Sequence, residues 1–324
     1  MNNYMIRLSV FVVGLVLSIS GCSVNVENPG VNHKDSNKSI KDKNSEVLTD
    51  NVRQLRVDNA WNILRKVKAD GTIEPLDKGD ILVPGDYSLE TGLDSSATFD
   101  IGGDVAGSIV KLMLGPNTKV KIEELSIKPD GSRISILALE KGQASFSVRG
   151  FTHEESEFKM TSDKQNGKSI AAVRGTEFGL SVNPANNNLA LSVKEGKVEL
   201  SRVVNGKVVH KAECKTSEQV RMTSDGKIKM IQTLNDNPQP IFKLDKLEDN
   251  HFRIEGNINP HNTLYIQDTP IDTNAENGEF THEFYTVNGN ESRRIEVITP
   301  LGNRRKYKVH TTRIDQKSPI IESD

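Results

Sequence analysis

Aromatic residues are scarce in this sequence: they make up 5% of its 324 residues, and there is one tryptophan, Trp61. Stacked aromatic side chains of the kind that bind sugars or single-stranded nucleic acid are therefore not expected. Hydrophobic residues reach only 35% and charged residues 27%, a balance typical of small domains rather than one large enzyme core. The formal net charge is -2, so we expect no general attraction to nucleic acid or to an acidic membrane.

Motifs for catalysis and cofactor binding are also missing. The sequence has no phosphate loop, dinucleotide fingerprint, nucleophile elbow or Cys-x-x-Cys pair. The closest approach to a metal cluster is His153 with the acidic residues that follow it, Glu154, Glu155 and Glu157. On a polar loop such a run is typically solvated. We predict no catalytic residues, no cofactor and no metal, although a glycan hydrolase, which needs only two carboxylates at a defined separation, stays a remote alternative.

The N-terminus has the pattern of a bacterial lipoprotein. Arg7 precedes an uncharged run, 8–20, which is too short to span a bilayer but has the length of a signal-peptide hydrophobic region. The run ends in Ile-Ser-Gly-Cys, which resembles a lipobox whose cysteine receives a diacylglycerol. We predict a signal peptide over 1–21 and lipidation of Cys22, and the alternatives are an incidental cysteine or a poorly anchored membrane helix. Cys214 would then lack a partner, and we expect a small buried hydrophobe rather than a reactive thiol.

The rest of the chain predicts an all-β protein. Residues 22–50 are polar and without a sustained period, so we predict the lipidated cysteine and a flexible tether. From residue 51, turns closed by glycine separate short runs in which apolar and polar residues largely alternate. This pattern predicts an all-β domain over 51–235. The segment 52–66 could begin as a helical turn, but we favour an opening strand.

Two segments of this domain, 138–148 and 192–202, resemble each other. Each reads as an apolar strand, a charged turn closed by glycine, and a second alternating strand. They suggest stacked, similar β-units, which either a compact solenoid or a sandwich would accommodate.

A second domain is predicted after a change in composition. The prolines at 235–240 are flanked by Asn and Asp and cannot continue a sheet, so we place a domain boundary there. Residues 236–313 contain six or seven strand candidates, the size of a small immunoglobulin-like sandwich. Residues 314–324 are predicted to be a loose tail.

The stretch 170–182, IAAVRGTEFGLSV, interrupts a strand pattern with a charged insert. Gly175 allows a bulge or a close backbone approach that a side chain would prevent. Arg174 could donate hydrogen bonds to carbonyls freed by the bulge, or it could bind an anion. We interpret the motif as a bend in a β-scaffold with a structural or an interaction role, formed by Val173, Arg174, Gly175, Thr176 and Phe178.

Several segments resemble, in their order along the chain, the FecR-domain family. They are PLDKGD (75–80), PGDYSLETG (84–92), SSATFD (95–100), KLMLGPNT (111–118), LEKG (139–142), FKMTS (158–162), AVRGTEF (172–178) and VKEGKV (193–198). The resemblance implies an extracytoplasmic, all-β, solenoid-like domain for interaction and signalling, without assigned catalytic residues. The best-known members are transmembrane regulators of a sigma factor. Here cleavage before Cys22 would leave nothing in the cytoplasm, so direct control of a sigma factor is not expected.

The C-terminal unit carries a weaker resemblance and a basic sequence. Residues 254–303 resemble bacterial immunoglobulin-like modules through IEG, LYI, NGEF, VNGN, IEV and LGN. Four arginines could form an interaction patch for an anionic glycan or lipid headgroup, namely Arg293, Arg294, Arg304 and Arg305. As charges on edge strands they would instead discourage aggregation between sheets, and we favour this interpretation.

Taken together, the patterns predict a non-catalytic lipoprotein of a bacterial cell envelope that presents two β-domains for binding, scaffolding or surface signalling. The alternative is a periplasmic regulatory partner of a receptor or signalling protein. We expect contact with the membrane through the lipid on Cys22, an envelope protein or glycan as partner, and no nucleic acid. Ser23 after the cysteine favours the outer membrane if the cell has two membranes.

Overall fold

The computed structural model describes residues 53–102, 110–149, 154–164, 167–173, 175–287 and 291–311. These residues form strands and turns without a helix, so the predicted all-β class is confirmed. In this part of the chain no helix is long and apolar enough to cross a bilayer. The predicted lipidation site Cys22, the tether, Arg174, His153 and the tail lie outside the described residues.

The first part of the chain forms two large β-sheets. Its strands are β1 (Gln54–Trp61), β2 (Leu64–Lys68), β3 (Ile73–Pro75), β4 (Ile81–Leu82), β5 (Tyr87–Thr91), β6 (Ser96–Gly102), β7 (Val110–Leu114), β8 (Lys119–Ile127), β9 (Arg133–Val148), β10 (Glu157–Lys164), β11 (Gly167–Val173), β12 (Glu177–Val182), β13 (Leu189–Glu195), β14 (Lys197–Val204), β15 (Lys207–Lys215), β16 (Glu218–Met222) and β17 (Gln232–Thr233). The opening strand expected at 52–66 is thus confirmed as β1 and the start of β2.

The two sheets share one strand. Sheet A has the order β3-β2-β5-β8-β9-β10-β11-β14-β15. Sheet B has the order β4-β1-β6-β7-β9-β12-β13-β16-β17. These pairs are antiparallel except β9 with β10, which is parallel. The pairing describes a two-sheet sandwich, and the solenoid alternative stays a prediction.

Strand β9 belongs to both sheets because the chain crosses between them at Gly142. Residues as far as Lys141 pair with β8 in sheet A, whereas Gly142 and the residues after it pair with β12 in sheet B. Gly142 has a φ of 85°, in the left-handed region that glycine adopts without a steric penalty.

Similar corners carry the chain across the sandwich elsewhere. Gly196, with a φ of 89°, lies between β13 of sheet B and β14 of sheet A. The similar segments 138–148 and 192–202 therefore both encode a crossing, one from sheet A to sheet B and the other in the opposite direction.

The core of this sandwich lies between sheets A and B. At its centre the Phe146 ring lies 4.9 Å from that of Phe178 and 5.1 Å from that of Phe158. Phe158 comes from sheet A and the other two from sheet B, so the three rings join the sheets. Cys214 is fully buried in the same core, and burial raises the pKa of its thiol to about 12. The expectation that Cys214 is a small buried residue of the core is confirmed.

The C-terminal part forms a second sandwich with its own core. Its strands are β18 (Ile241–Glu248), β19 (His251–Asn257), β20 (Thr263–Ile266), β21 (Thr269–Ile271), β22 (Glu279–Tyr285), β23 (Ser292–Ile298) and β24 (Arg304–His310). Sheet C has the order β18-β19-β22 and sheet D the order β21-β20-β23-β24. Phe252, Ile254, Leu264 and Val297 are among the buried residues between them. The likeness to immunoglobulin modules and the exact domain boundary stay predictions.

Candidate functional site

The glycine motif forms a corner at which the chain leaves sheet A for sheet B. Val173 ends β11 in sheet A, and Glu177 begins β12 in sheet B. Gly175 between them has a φ of 65°. From the sequence, Gly175 allows a bulge or a close backbone approach, whereas the register shift in the structure comes later, between Glu177 and Phe178, where β12 pairs with β13. A crossing between sheets, rather than a bulge within one strand, therefore explains the glycine.

The buried motif residues hold this corner in place. Val173 and Phe178 belong to the core, and Phe178 stacks on Phe146. Thr176 is only 3% exposed, and its carbonyl accepts a hydrogen bond of 2.8 Å from the Val148 amide. The described residues of the motif thus have structural roles, and Arg174 lies outside the described residues. A ligand for Arg174 stays a prediction.

The second sandwich docks on the outer face of sheet B through the turn that joins β23 and β24. The Gln143 side-chain amide donates a hydrogen bond of 3.0 Å to the Pro300 carbonyl. A Cβ atom at Gly179 would overlap the same carbonyl, and a Cβ atom at Gly302 would overlap the Met113 side chain. These two glycines allow backbone and sheet to approach closely, which sequence analysis did not foresee.

Polar contacts at the periphery add to this docking. Lys306 lies 3.0 Å from Asp94, and its hydrogen bond together with that of Arg304 lowers the pKa of the Asp94 carboxyl. On the other side, Arg221 donates a hydrogen bond of 3.0 Å to the Pro260 carbonyl. The two sandwiches are therefore joined by specific contacts at several points along sheet B.

A cleft of about 450 Å³ lies between sheet B and the docked turn. Its charged lining residues are Asp58, Asp100, Lys111, Glu177, Lys194 and Asp236. Its small hydroxyl residues are Thr98, Ser145 and Ser147. Leu301 and Asn303 line it from the second sandwich. Clefts between domains are common positions for binding sites, and this cleft begins directly after the motif corner, at Glu177.

The charges in the cleft are only partly paired with each other. Lys194 lies 2.7 Å from Glu177, whereas Lys111 lies 3.9 Å from Asp100. Burial raises the pKa of Asp236, although hydrogen bonds from Thr299 and Asn303 act in the opposite direction. No His or Cys is among the described residues that line the cleft.

Among the residues that the structure describes, no group of three or more His, Cys, Asp or Glu side chains could hold a metal ion. The four arginines of the predicted patch are not brought together on one face. Arg293 and Arg294 are neighbours on β23 and point to opposite faces of the strand, as do Arg304 and Arg305 on β24.

Three of these arginines already have acidic partners. Arg293 lies 2.9 Å from Glu291, and Arg294 pairs with Asp268. Arg304 pairs with Asp94 and with Glu296. Arg304 thus belongs to the docking contact between the sandwiches, and an anion-binding role for the four stays a prediction.

Comparison with known proteins gives one family match. Residues 89–199 match the family model described as FecR protein, a segment that runs from β5 to β14 and contains the motif corner. The resemblance found in the sequence is confirmed for this segment. The match points to a role in regulation or signalling.

Solved structures give weaker likenesses. Two crystal structures of proteins assigned as anti-sigma factors, both from Parabacteroides distasonis, show 18% and 19% identity with TM-scores of 0.33 and 0.34. They cover 45% and 48% of this chain, and the chain covers 59% and 69% of theirs. Likeness at this level says nothing about partners. No curated protein matches the chain.

Proposed function

We propose that this chain, which carries a FecR domain at residues 89–199, is a non-catalytic protein of the bacterial cell envelope that binds an envelope protein in a regulatory or signalling role. The lipid predicted on Cys22 would hold it to the membrane. The observation that carries the proposal is the charged cleft between the two packed sandwiches, bordered by the motif corner.

The geometry of the cleft suits a protein partner. One side of the cleft is a β-sheet, and the other side is a turn held by contacts to its backbone. Both are ordered before a partner binds, so little conformational entropy is lost on binding. Both carboxylates and lysines line it, which supplies specificity through charge complementarity.

Photo-crosslinking in intact cells tests the proposal. A crosslinking amino acid is placed at Lys111 in the cleft and, as a matched control, at Lys121, an exposed lysine on the outer face of sheet A. We expect one discrete envelope protein to be captured at Lys111 and lost when Glu177→Lys is added. Equal capture at Lys121, or capture at neither position, would contradict the proposal.

The anchor is tested separately. We expect the chain to partition with membranes and to incorporate a labelled fatty acid, and Cys22→Ser to abolish both. Release of the Cys22→Ser chain without loss of the Lys111 crosslink in solution would show that anchoring and binding are independent. A soluble, unlabelled native chain would refute the lipoprotein assignment.

A glycan hydrolase is the second candidate, because Asp236 with its raised pKa shares the cleft with other carboxylates. Such an acid could protonate a leaving group. Release of reducing sugar from envelope glycan, abolished by Asp236→Asn while the Lys111 crosslink persists, would favour this candidate over the first.

A further inference from the structure

A stacked aromatic pair lies on the outer face of sheet C, away from the cleft; its tyrosine is exposed, whereas its histidine side chain is only 14% exposed. Tyr285 is 70% exposed, and its ring stacks on that of His251 with centroids 4.3 Å apart and planes 13° apart. One face of the Tyr285 ring is therefore covered by the histidine, and the exposure of the side chain leaves the other face open to solvent. We call His251 and Tyr285 the aromatic platform.

The platform is held in position by its neighbours. His251 and Tyr285 are directly opposite each other on β19 and β22. Glu283 lies 3.2 Å from the Nε2 atom of His251 and accepts a hydrogen bond of 3.0 Å from Arg253. Arg293 donates a hydrogen bond of 2.9 Å to the Tyr285 carbonyl. A ligand would thus meet a ring whose orientation is already fixed, which lowers the entropy lost on binding.

We propose that the aromatic platform is a binding site for a neutral saccharide. The face of an aromatic ring is negatively polarised, and the C–H bonds on one face of a pyranose ring are positively polarised, so the two stack. Glu283 and Arg253, on the same face of the sheet, supply an acceptor and donors for the hydroxyl groups at the rim of such a sugar.

The charges around the platform select against a polyanion. Arg253 is paired with Glu283, and the neighbouring Lys246 is paired with Asp249 at 2.9 Å. Among the described neighbours of the platform, these cations are thus matched by carboxylates, which disfavours the phosphates of a nucleic acid, the groups that supply most of the affinity in such complexes. The site lies on the second sandwich and is independent of the protein-binding role proposed for the cleft.

Nuclear magnetic resonance titration of the full chain with chitotetraose and with cellotetraose tests the proposal. We expect at least one of these oligosaccharides to bind and to shift the resonances of Tyr285 and His251. Replacing Tyr285→Ala should lower the association constant about tenfold, the upper range of a ring-stacking interaction. Tyr285→Phe keeps the ring and should stay within about twofold of the parent chain.

Trp61→Ala is the matched control, because Trp61 is also an exposed aromatic, at 65%, but lies in the first sandwich. It should leave saccharide binding unchanged. Thermal unfolding of each variant shows whether a loss of binding comes from a loss of folding. Glu283→Gln is a second variant, which keeps both rings of the platform. Binding of neither oligosaccharide, equal binding by Tyr285→Ala, or tighter binding of oligo(dT) than of either sugar would overturn the proposal.

Discussion

The two outer faces of the first sandwich differ sharply in side-chain type. Sheet A carries many ion pairs on its outer face, such as Arg65–Glu90, Lys119–Glu140, Lys121–Asp86, Lys168–Glu123 and Lys211–Glu199. On sheet B the outward residue Gly179 lies against the Pro300 carbonyl, and the outward residues Ser181, Ser192 and Gln219 are uncharged and buried. Arg221 is a charged exception, which donates a hydrogen bond to the second sandwich.

This difference shows how one sandwich can have one solvated and one docked face. Long charged side chains keep sheet A in water and discourage edge or face association with other sheets. Each exposed pair contributes only about 0–1 kcal/mol to stability. On sheet B, the missing side chain at Gly179 lets another backbone approach, so close packing contributes to the docking beside the polar contacts of Arg221 and Asp94.

The largest expected effect comes from filling the docking contact. Gly179→Ala places a Cβ atom against the Pro300 carbonyl, and we expect the free energy of unfolding to fall by about 3 kcal/mol, the upper range for overpacking. Chemical denaturation measures this change, and small-angle X-ray scattering should show a larger radius of gyration as the second sandwich separates.

The matched control is Ala172→Val, at a half-buried outward position on β11 of sheet A. We expect a change below about 0.5 kcal/mol there, as for most surface substitutions. If both variants behaved alike, the contrast between a docked and a solvated face would be wrong.

The next largest effect is expected from the packing of the corner at Gly142. Gly71 serves as the reference position that separates this packing from backbone strain. Both glycines have a φ of 85°, so alanine meets the same backbone strain, about 1 kcal/mol, at either position. At Gly71 nothing lies within 4 Å of the new Cβ atom, whereas at Gly142 the Thr118 Cα atom lies at 2.5 Å and the Asn117 carbonyl at 2.8 Å.

We therefore expect Gly142→Ala to lower the free energy of unfolding by about 2 kcal/mol more than Gly71→Ala. Equilibrium denaturation of the two variants gives the difference directly. Equal losses of stability would mean that Gly142 is required only for its positive φ angle, and that its packing against the Asn117–Thr118 turn does not contribute to stability.

The sequence predicted the strands and corners better than it predicted their partners. Alternation and glycine-closed turns are local signals, so the all-β class and the similarity of the segments around Gly142 and Gly196 could be read from residue order. Which sheet each strand joins depends on contacts distant in sequence. The covered positions Gly179 and Ser192 look, in sequence, like ordinary outward residues of a half-exposed strand.

The aromatic platform shows the same limit. Because aromatic residues are few and tryptophan occurs once, the sequence predicts no stacked aromatic side chains for binding sugars, although a glycan stays among the expected partners. His251 and Tyr285 are separated by a long stretch of chain, and only the pairing of β19 with β22 places their rings together. A cross-strand pair of this kind has no local signature, whereas the arginines that sequence grouped as one patch are divided between faces by strand alternation.

A third prediction concerns the effect of pH on the docked face. His261 is 3% exposed, its Nδ1 atom lies 3.0 Å from the Asn259 side chain, and Arg221 is its charged neighbour, with Glu276 beyond that arginine. Burial, and secondly Arg221, lower the pKa of His261 from 6.5 to about 4. Between these values the unfolded chain binds a proton that the folded chain does not, so stability falls as pH falls.

We expect the loss between pH 7 and pH 4.5 to be about 2–3 kcal/mol larger in the native chain than in His261→Gln. Thermal unfolding across this pH range measures the difference between the two profiles. His210→Gln, at an exposed position on β15 of sheet A, is the control and should follow the native profile. If the native and His261→Gln chains lost stability equally as the pH falls, burial of His261 in the docked face would not hinder its protonation.

The smallest effect is expected on sheet A. Lys119 bridges Glu140 at 3.1 Å and Glu90 at 3.6 Å across neighbouring strands, and all three side chains are partly exposed. Lys119→Ala should lower the free energy of unfolding by about 0.5 kcal/mol, and most of that loss should vanish in about 1 M salt, where the screening length is only about 3 Å. A loss that exceeded the Gly142→Ala effect, or that persisted in salt, would mean that the ion pairs of sheet A are covered in the folded chain. Sheet A would then be a covered face like sheet B, and the contrast between a solvated face and a docked face of the same sandwich would be wrong.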